Sequence, residues 1–356
     1  MRKHVIGIVL LVLLLAACAP STPAPPPTPT GPRTLTIMTH DSFDISEETI
    51  AAFEEANNAQ VEIFKAGDAG LVLNQAILSA ENPLADLLYG VDNTLMSRGL
   101  EAGIFEPYES PLLAQTPDHL ELDPEHRLLP VDYGDVCLNY DKGWFAEAGL
   151  EPPATLEDLV KPEYAGLTVV ENPASSSPGL AFMLATIGHF GLEGDYTWLD
   201  YWADLRANDV LVTDGWEDAY WGHFTYASDG DRPIVVSYAS SPPVEIYFSG
   251  EDFEEAPTGV VVADGSCFRQ IEFVGILKGT QNRDLAEAWV DFMLGRTFQE
   301  DIPLHMFVFP ANENAALPEV FARFALIPEH PAQVDPADIE ANREAWVEQW
   351  TETVLR

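Results

Sequence analysis

The sequence predicts an α/β protein of two lobes, and three observations carry that reading. Apolar strands alternate with amphipathic helices in a strand, loop, helix, strand rhythm, which builds parallel sheets with crossover helices. The rhythm begins near Thr34 and again near Thr155, in a body of about 320 residues, the length of two ordinary domains. Between the two cycles, LLPVDYGDVCLNYD (Leu128 to Asp141) is a β-rich run long enough to cross from one lobe to the other.

Each element follows from its local pattern. Thr34–Met38 alternates into a strand and ends in the polar turn His40-Asp41-Ser42. Ser46 caps a helix over Glu47–Asn57, with Ile50, Ala51 and Phe53 on its inner face. VEIFKAGDAG is a second strand closed by a Gly-rich loop, Leu71–Ala80 is a helix, and LADLLYGVDN is a third strand ending on Asp92 and Asn93. The second cycle opens at Thr155–Lys161. GLTVVENPASSSPG runs from a strand into a Ser-rich loop, a helix follows over Leu180–Phe190, and VLVTDGWEDAY and PIVVSYASSP repeat the strand-to-polar-loop ending. Thr258–Gly279 holds two strands, VVVAD and FRQIEFVGIL, that return the chain to the first lobe. Leu285–Leu294 then sets Ala286, Trp289, Val290 and Met293 on one helical face. Asp335 caps a last helix with Pro336 in its first turn, and Trp346 and Trp350, four apart, belong to core packing.

Ligands of parallel sheets bind beyond the carboxyl ends of the strands. His40-Asp41-Ser42, Asp68-Ala69-Gly70 and Asp92-Asn93 are therefore expected on one rim of the first lobe, facing Trp216, Tyr220 and Tyr238 on loops of the second.

The first residues read as an address. Arg2 and Lys3 precede an apolar run, Val5–Leu15, of roughly 11 residues, short of the ~20 that cross a bilayer. Leu15-Ala16-Ala17-Cys18 resembles a bacterial lipobox, so residues 1–17 are expected to be cleaved and Cys18 to carry the lipid; an ordinary signal with an incidental cysteine is the alternative. Residues 18–33 hold seven prolines from Pro20 to Pro32 and read as an extended tether.

With 17 basic and 58 acidic residues the chain carries a formal charge of −41, near −43 without Arg2 and Lys3. That balance argues against nucleic acid and anionic lipid headgroups as partners, and it tolerates or attracts cationic ligands. Besides Cys18 only Cys137 and Cys267 occur. Outside the cytoplasm they can pair, remain two buried thiols, or supply one reactive thiol.

LTIMTHDSF, GLVLNQAI, ADLLYGVDNTL, VDYGDVCLNYDK, SSSPGLAF, VTDGWEDAY, VVSYASSP and AEAWVDFML followed by EDIP resemble, in order and spacing, the periplasmic thiamine-binding proteins of ABC import systems. The resemblance implies a two-lobed, hinged, type II periplasmic-binding-protein fold with crossing strands. Lobe 1 would comprise residues 34–135 and 266–356, and lobe 2 residues 136–265. The cleft would take thiamine, often with one or two phosphates, with no cofactor and no metal. A monomer is expected to deliver the solute to a membrane permease and its ATPase.

Carried over by motif, the ligand contacts fall on Asp68, Ala69, Ser176, Ser177, Trp216, Tyr238, Ala239, Ser240 and Ser241. His40, Asp41, Asp92, Tyr220 and Phe307 complete the expected wall. A permanently cationic, flat-ringed ligand asks for such carboxylates and aromatic faces, and Ser176 and Ser177 ahead of a helix suit a hydroxyl or phosphate. The chain departs from the family at His40 and Phe307, where Tyr and Trp are usual, and at Pro243-Val244-Glu245, where an aromatic is expected. A polyamine receptor is the nearest competing reading, since no Tyr-Tyr pair suggests iron. A thiaminase I-like enzyme using Cys137 is another, although no His or Glu stands beside that cysteine as its base.

Overall fold

The computed structural model describes residues 31–250 and 253–356; the leader, Cys18 and the tether through residue 30 lie outside the described residues. Its strands are β1 Arg33–Thr39, β2 Ala59–Lys65, β3 Leu87–Asp92, β4 Phe105–Glu106, β5 Leu129–Asp141, β6 Thr168–Glu171, β7 Leu211–Thr213, β8 Ile234–Tyr238, β9 Thr258–Val261, β10 Phe268–Leu277 and β11 Phe309–Pro310. They join in the order β2-β1-β3-β10-β5-β8-β6-β7, with β4, β9 and β11 as side branches.

The order divides into two parallel halves. β1 runs parallel to β2 and β3, and β6 runs parallel to β7 and β8. Between them lie the two longest strands, β5 and β10, each antiparallel to its neighbours. β5 pairs with β10 from Leu129 to Val136 and with β8 from Val136 to Tyr140, so a single strand passes from one half to the other at Val136. That is the crossing expected from the unbroken Leu128–Asp141 run.

Cys137 and Cys267 form a disulfide directly beyond the Val136–Phe268 pair, with Cα atoms 4.4 Å apart, and both residues are fully buried. The alternatives left by the sequence resolve to the bridge. Cys137 is no free nucleophile, and the thiaminase-like reading loses its reactive group.

Period-two alternation sorts β1 between the layers on its two faces. Leu35 and Ile37 pack with Phe53 of the Glu47–Asn57 helix and Trp289 of the Arg283–Leu294 helix, while Met38 points to Val72 and Leu73 of the Ala69–Leu78 helix. Phe53 and Trp289 meet edge to face at 4.8 Å. The Pro336–Val354 helix, capped by Asp335 as expected, rests on the Trp198–Ala207 helix, where Trp350 meets Trp202 edge on at 5.3 Å.

Two helices begin earlier than the apolar pattern suggests, and their caps explain it. Asp68 caps the helix that starts at Ala69, and Ser176 caps the helix that starts at Ser177, with Pro178 in its first turn. Those extra residues bring both N-termini to the same place.

Candidate functional site

A cavity of about 380 Å³ opens where the strand ends of the two halves meet. Its walls are the β1 and β2 loops on one side, the Asp214–Asp218 loop and the Pro242–Ser249 helix on the other, with Glu272 of β10 and the 305–308 segment between. The size suits one small organic molecule.

Asp68 sits where the sides touch. Its Oδ1 accepts from the N–H of Ala69 at 2.7 Å and of Ser177 at 3.1 Å, and its Oδ2 from the N–H of Trp216 at 3.2 Å. Burial pushes its pKa up, against the hydrogen bonds from Ser177 and Trp216 and the charge of His40. Beside it the Gly70 N–H donates to the Ser175 carbonyl at 3.1 Å, and a Cβ on Gly70 would lie 2.6 Å from that oxygen, so only glycine permits the approach.

Aromatic rings form the opposite wall. Trp216 lies flat on Tyr220, ring centres 4.8 Å apart and planes 20° apart, and its Nε1 donates to Ser237 Oγ at 3.0 Å. Phe248 and Phe307 face one another at 5.9 Å. Phe307 holds a left-handed backbone, φ 55°, a strained geometry for a bulky residue that tends to be kept at functional sites. Phe248 is 66% exposed at the mouth, an apolar face open to a ligand.

The floor is acidic and hydrogen-bonded. His40 Nε2 lies 3.4 Å from Glu272 Oε1, and the His40 ring packs over Gly90, whose φ of 97° and lack of Cβ leave the room. Tyr89 Oη donates to Asp132 Oδ2 at 2.6 Å and lies 3.1 Å from Glu272 Oε2. Burial and then the charge of Glu272 push Asp132 well above the usual carboxylate range. Burial also works to raise Glu272, but the charge of His40 and the hydrogen bonds it receives hold it low. The two carboxyls therefore titrate as a pair, with Asp132 pushed up and Glu272 held down.

Of the residues expected from the sequence, His40, Asp41, Asp68, Ser177, Trp216, Tyr238, Ser241 and Phe307 line the cavity. Ala69, Ser176, Ala239 and Ser240 are buried behind it. Asp92 and Tyr220 are also withdrawn, each by a partner of its own. Asp92 Oδ1 accepts from Thr94 N–H at 3.0 Å and Oγ1 at 2.7 Å, its Oδ2 accepts from Gln270 Nε2 at 2.7 Å, and burial pushes its pKa up to about 6. Tyr220 is fully buried beneath Trp216 and donates its hydroxyl to Glu245. Gln270 also accepts from Tyr238 Oη at 2.7 Å and donates to Ser177 Oγ at 2.8 Å, so that with its bond to Asp92 it links the second half to the first.

The sequence reading passed over Glu272, Trp221 and Phe248. The stretch after Ser241 does supply an aromatic to the wall: Pro242 and Pro243 start a helix on which Val244 and Phe248, four apart, face the cavity together. Glu171, fully buried near Asp68, was also unremarked; burial first and the charge of Asp68 second push it well above the carboxylate range.

Residues 82–325 match the family of bacterial extracellular solute-binding proteins. The thiamine-binding periplasmic protein of Brucella suis biovar 1 is 29% identical over 335 residues, 91% of this chain and 92% of that one. That of Escherichia coli K12 is 28% identical over 326 residues, 90% of this chain and 94% of that one. Among solved structures, a periplasmic thiamin binding protein superposes with a TM-score of 0.79 at 25% identity, over 92% of this chain and 99% of that one. The fructose-6-phosphate-bound AfuA of Actinobacillus pleuropneumoniae shares the fold, TM-score 0.75 at 21% identity over 92% and 99%. These relatives are binding proteins, not enzymes, and with a two-lobed type II fold closed around an aromatic and acidic cleft the chain belongs to the bacterial extracellular solute-binding proteins.

Proposed function

We propose that the protein captures thiamine outside the cytoplasm and hands it to an ABC importer, held at the membrane by a lipid on Cys18. One observation carries the ligand assignment. The cavity sets flat aromatic faces, Trp216 and Phe307, against a floor that carries the Glu272 carboxyl, and thiamine is a permanent cation with two flat rings. The naming of the Brucella and Escherichia relatives for thiamine supports the same choice. Among the described residues no helix is long and apolar enough to cross a membrane, so the anchor rests on the leader and Cys18. We place residues 34–135 and 266–356 in one lobe and 136–265 in the other. Contacts from both lobes stabilise the closed state over the open one, and closure is what the permease reads.

The test is a titration of ligand-stripped protein with thiamine and with spermidine, followed by tryptophan fluorescence and calorimetry. Thiamine is expected to change the Trp216 emission at saturation. Heat and a spectral change with spermidine alone would assign the cleft to a polyamine, and no response to thiamine would end the leading assignment.

A pH dependence follows from His40. Burial works to lower its pKa, but Glu272 and, behind it, Asp68 prevail and hold it above 6.5. His40 therefore carries positive charge below that raised value and opposes a cationic ligand. Thiamine affinity is expected to rise as pH climbs through the folded pKa of His40, while the stability that the charged His40 lends the empty protein, fully present below 6.5, is lost over the same range. Dissociation constants from pH 6 to 9 check the slope, and His40→Gln should flatten it.

A further inference from the structure

We propose that Glu245 is a positioning residue of the cleft: its buried carboxyl ties the helix that carries Phe248 to the phenol that backs Trp216, and so holds two aromatic faces in alignment for a flat cation. The inference rests on the thiamine reading and deepens it, naming what orients the rings that the ligand meets.

The geometry starts from Tyr220. It is fully buried in the π-helical turn Asp218–His223, and such wide turns, rare in proteins, recur at functional sites. Its ring meets three others: Trp216 lies flat on it at 4.8 Å, Trp221 is edge on at 4.9 Å and Phe224 is tilted at 5.4 Å. Offset stacking tolerates sliding in the ring plane, whereas a hydrogen bond at the phenol tip fixes the ring along it. The Tyr220 hydroxyl donates to Glu245 Oε1, and Thr258 Oγ1 donates to Glu245 Oε2 at 3.3 Å. The carboxyl is thus held from two elements, the π-helical turn and β9.

Glu245 in turn is the polar tie of a short helix. Pro242–Ser249 starts without a side-chain cap bond, buries its residues 242–246 and leaves Tyr247 and Phe248 exposed. Val244 packs with Phe307, Phe309 and Phe321. Phe248 stands three residues after Glu245, on the adjoining side of the helix, and meets Trp221 at 6.5 Å and Phe307 at 5.9 Å. One carboxyl therefore fixes Trp216 through Tyr220, and Phe248 through the helix. Stability alone does not call for it, since a buried carboxyl costs more to desolvate than an apolar side chain of its size. Burial pushes Glu245 up to about 7, against the hydrogen bonds from Tyr220 and Thr258. Its neutral form is thus well populated near neutral pH, and glutamine imitates it.

The experiment compares the ligand-stripped chain with Glu245→Gln, Glu245→Leu, Tyr220→Phe and the pair Glu245→Leu/Tyr220→Phe. Calorimetry reads thiamine affinity, thermal unfolding reads stability, and tryptophan emission of the empty protein reads the setting of Trp216. Glu245→Leu and Tyr220→Phe each break the tie and are expected to weaken thiamine binding by about tenfold, with glutamine recovering most of the loss. The double variant separates positioning from stability. It leaves neither member of the bond unpaired, so stability should recover toward wild type, while affinity stays about tenfold down. Emission of empty Glu245→Leu should differ from wild type, and the difference should vanish when both proteins carry Trp216→Phe. A double variant that binds thiamine as wild type does, or an unchanged Trp216 emission in Glu245→Leu, would mean that Glu245 serves stability alone, and either result overturns the proposal. If wild type itself binds no thiamine, the ligand assignment falls, and the emission comparison still decides the positioning.

Discussion

Replacing Cys137 and Cys267 together by alanine is expected to lower the free energy of unfolding by about 3–5 kcal/mol. The bridge spans a sequence separation of 130 residues, and a cross-link over so long a loop removes much of the freedom of the unfolded chain. Its position adds a second reason. It ties β5 to β10 at the point where β5 leaves one half of the sheet for the other, so the loop it closes holds β6, β7, β8 and β9. Without it the second half is joined to the first by the β5 and β10 ladder, the contacts of Asp68 and Gln270, and the packing of the C-terminal helix. Alanine is the informative substitution, because serine would introduce hydroxyls beside the Asp135 and Val261 carbonyls, each 3.4 Å from a sulfur, and so add new hydrogen bonds to the comparison. Guanidinium unfolding of the double variant and of reduced wild type should give similar losses. Neither sulfur lines the cavity, so thiamine affinity should be nearly unchanged under native conditions. A loss below about 1 kcal/mol would mean that the strand pairing and interlobe contacts alone hold the halves together.

Much of the fold is legible in the sequence because local rules and tertiary demands agree there. Ser46 and Asp335 announce helices, alternation announces β1, and the length of the β-rich run Leu128–Asp141 announces a crossing strand in spite of Gly134-Asp135 within it. The site is legible where a residue acts through its own loop: Asp41, Trp216 and Tyr238 stand at strand ends and reach the cavity directly. It is illegible where a distant partner decides. Nothing near Asp92 shows that Gln270, 178 residues away, will draw it inward, and nothing near Tyr220 shows that Glu245 will take its hydroxyl. Glu272 left a clue, since Gln270 and Glu272 are polar residues two apart in a strand that is apolar from Phe273 to Leu277, and so share a face. The Trp198–Ala207 helix left a plainer one in the Thr197 and Asp200 capping box ahead of Tyr201, Trp202 and Leu205.

Trp216→Ala is expected to weaken thiamine binding by about 2–3 kcal/mol, roughly 30- to 150-fold. The indole is held flat by Tyr220 behind it and turned by its bond to Ser237 Oγ, so its free face meets the cavity at a fixed angle without further ordering on binding. A preorganised ring loses little entropy when a ligand stacks on it, and the cation adds attraction that a neutral ring system of the same area would lack. Truncation removes the face and the fixed angle together. The fold should survive, because Trp216 is only partly buried and Ser237 Oγ keeps its partner Ser241 at 2.8 Å. Trp216→Phe separates the contributions: it retains a ring on Tyr220 but cannot bond Ser237, and should cost about 1 kcal/mol. If stacking governs affinity, alanine must be far worse than phenylalanine. Equal losses in the two variants would shift the weight to the hydrogen bond that orients the loop, and a Trp216→Ala protein binding within threefold of wild type would move the ligand away from this wall altogether.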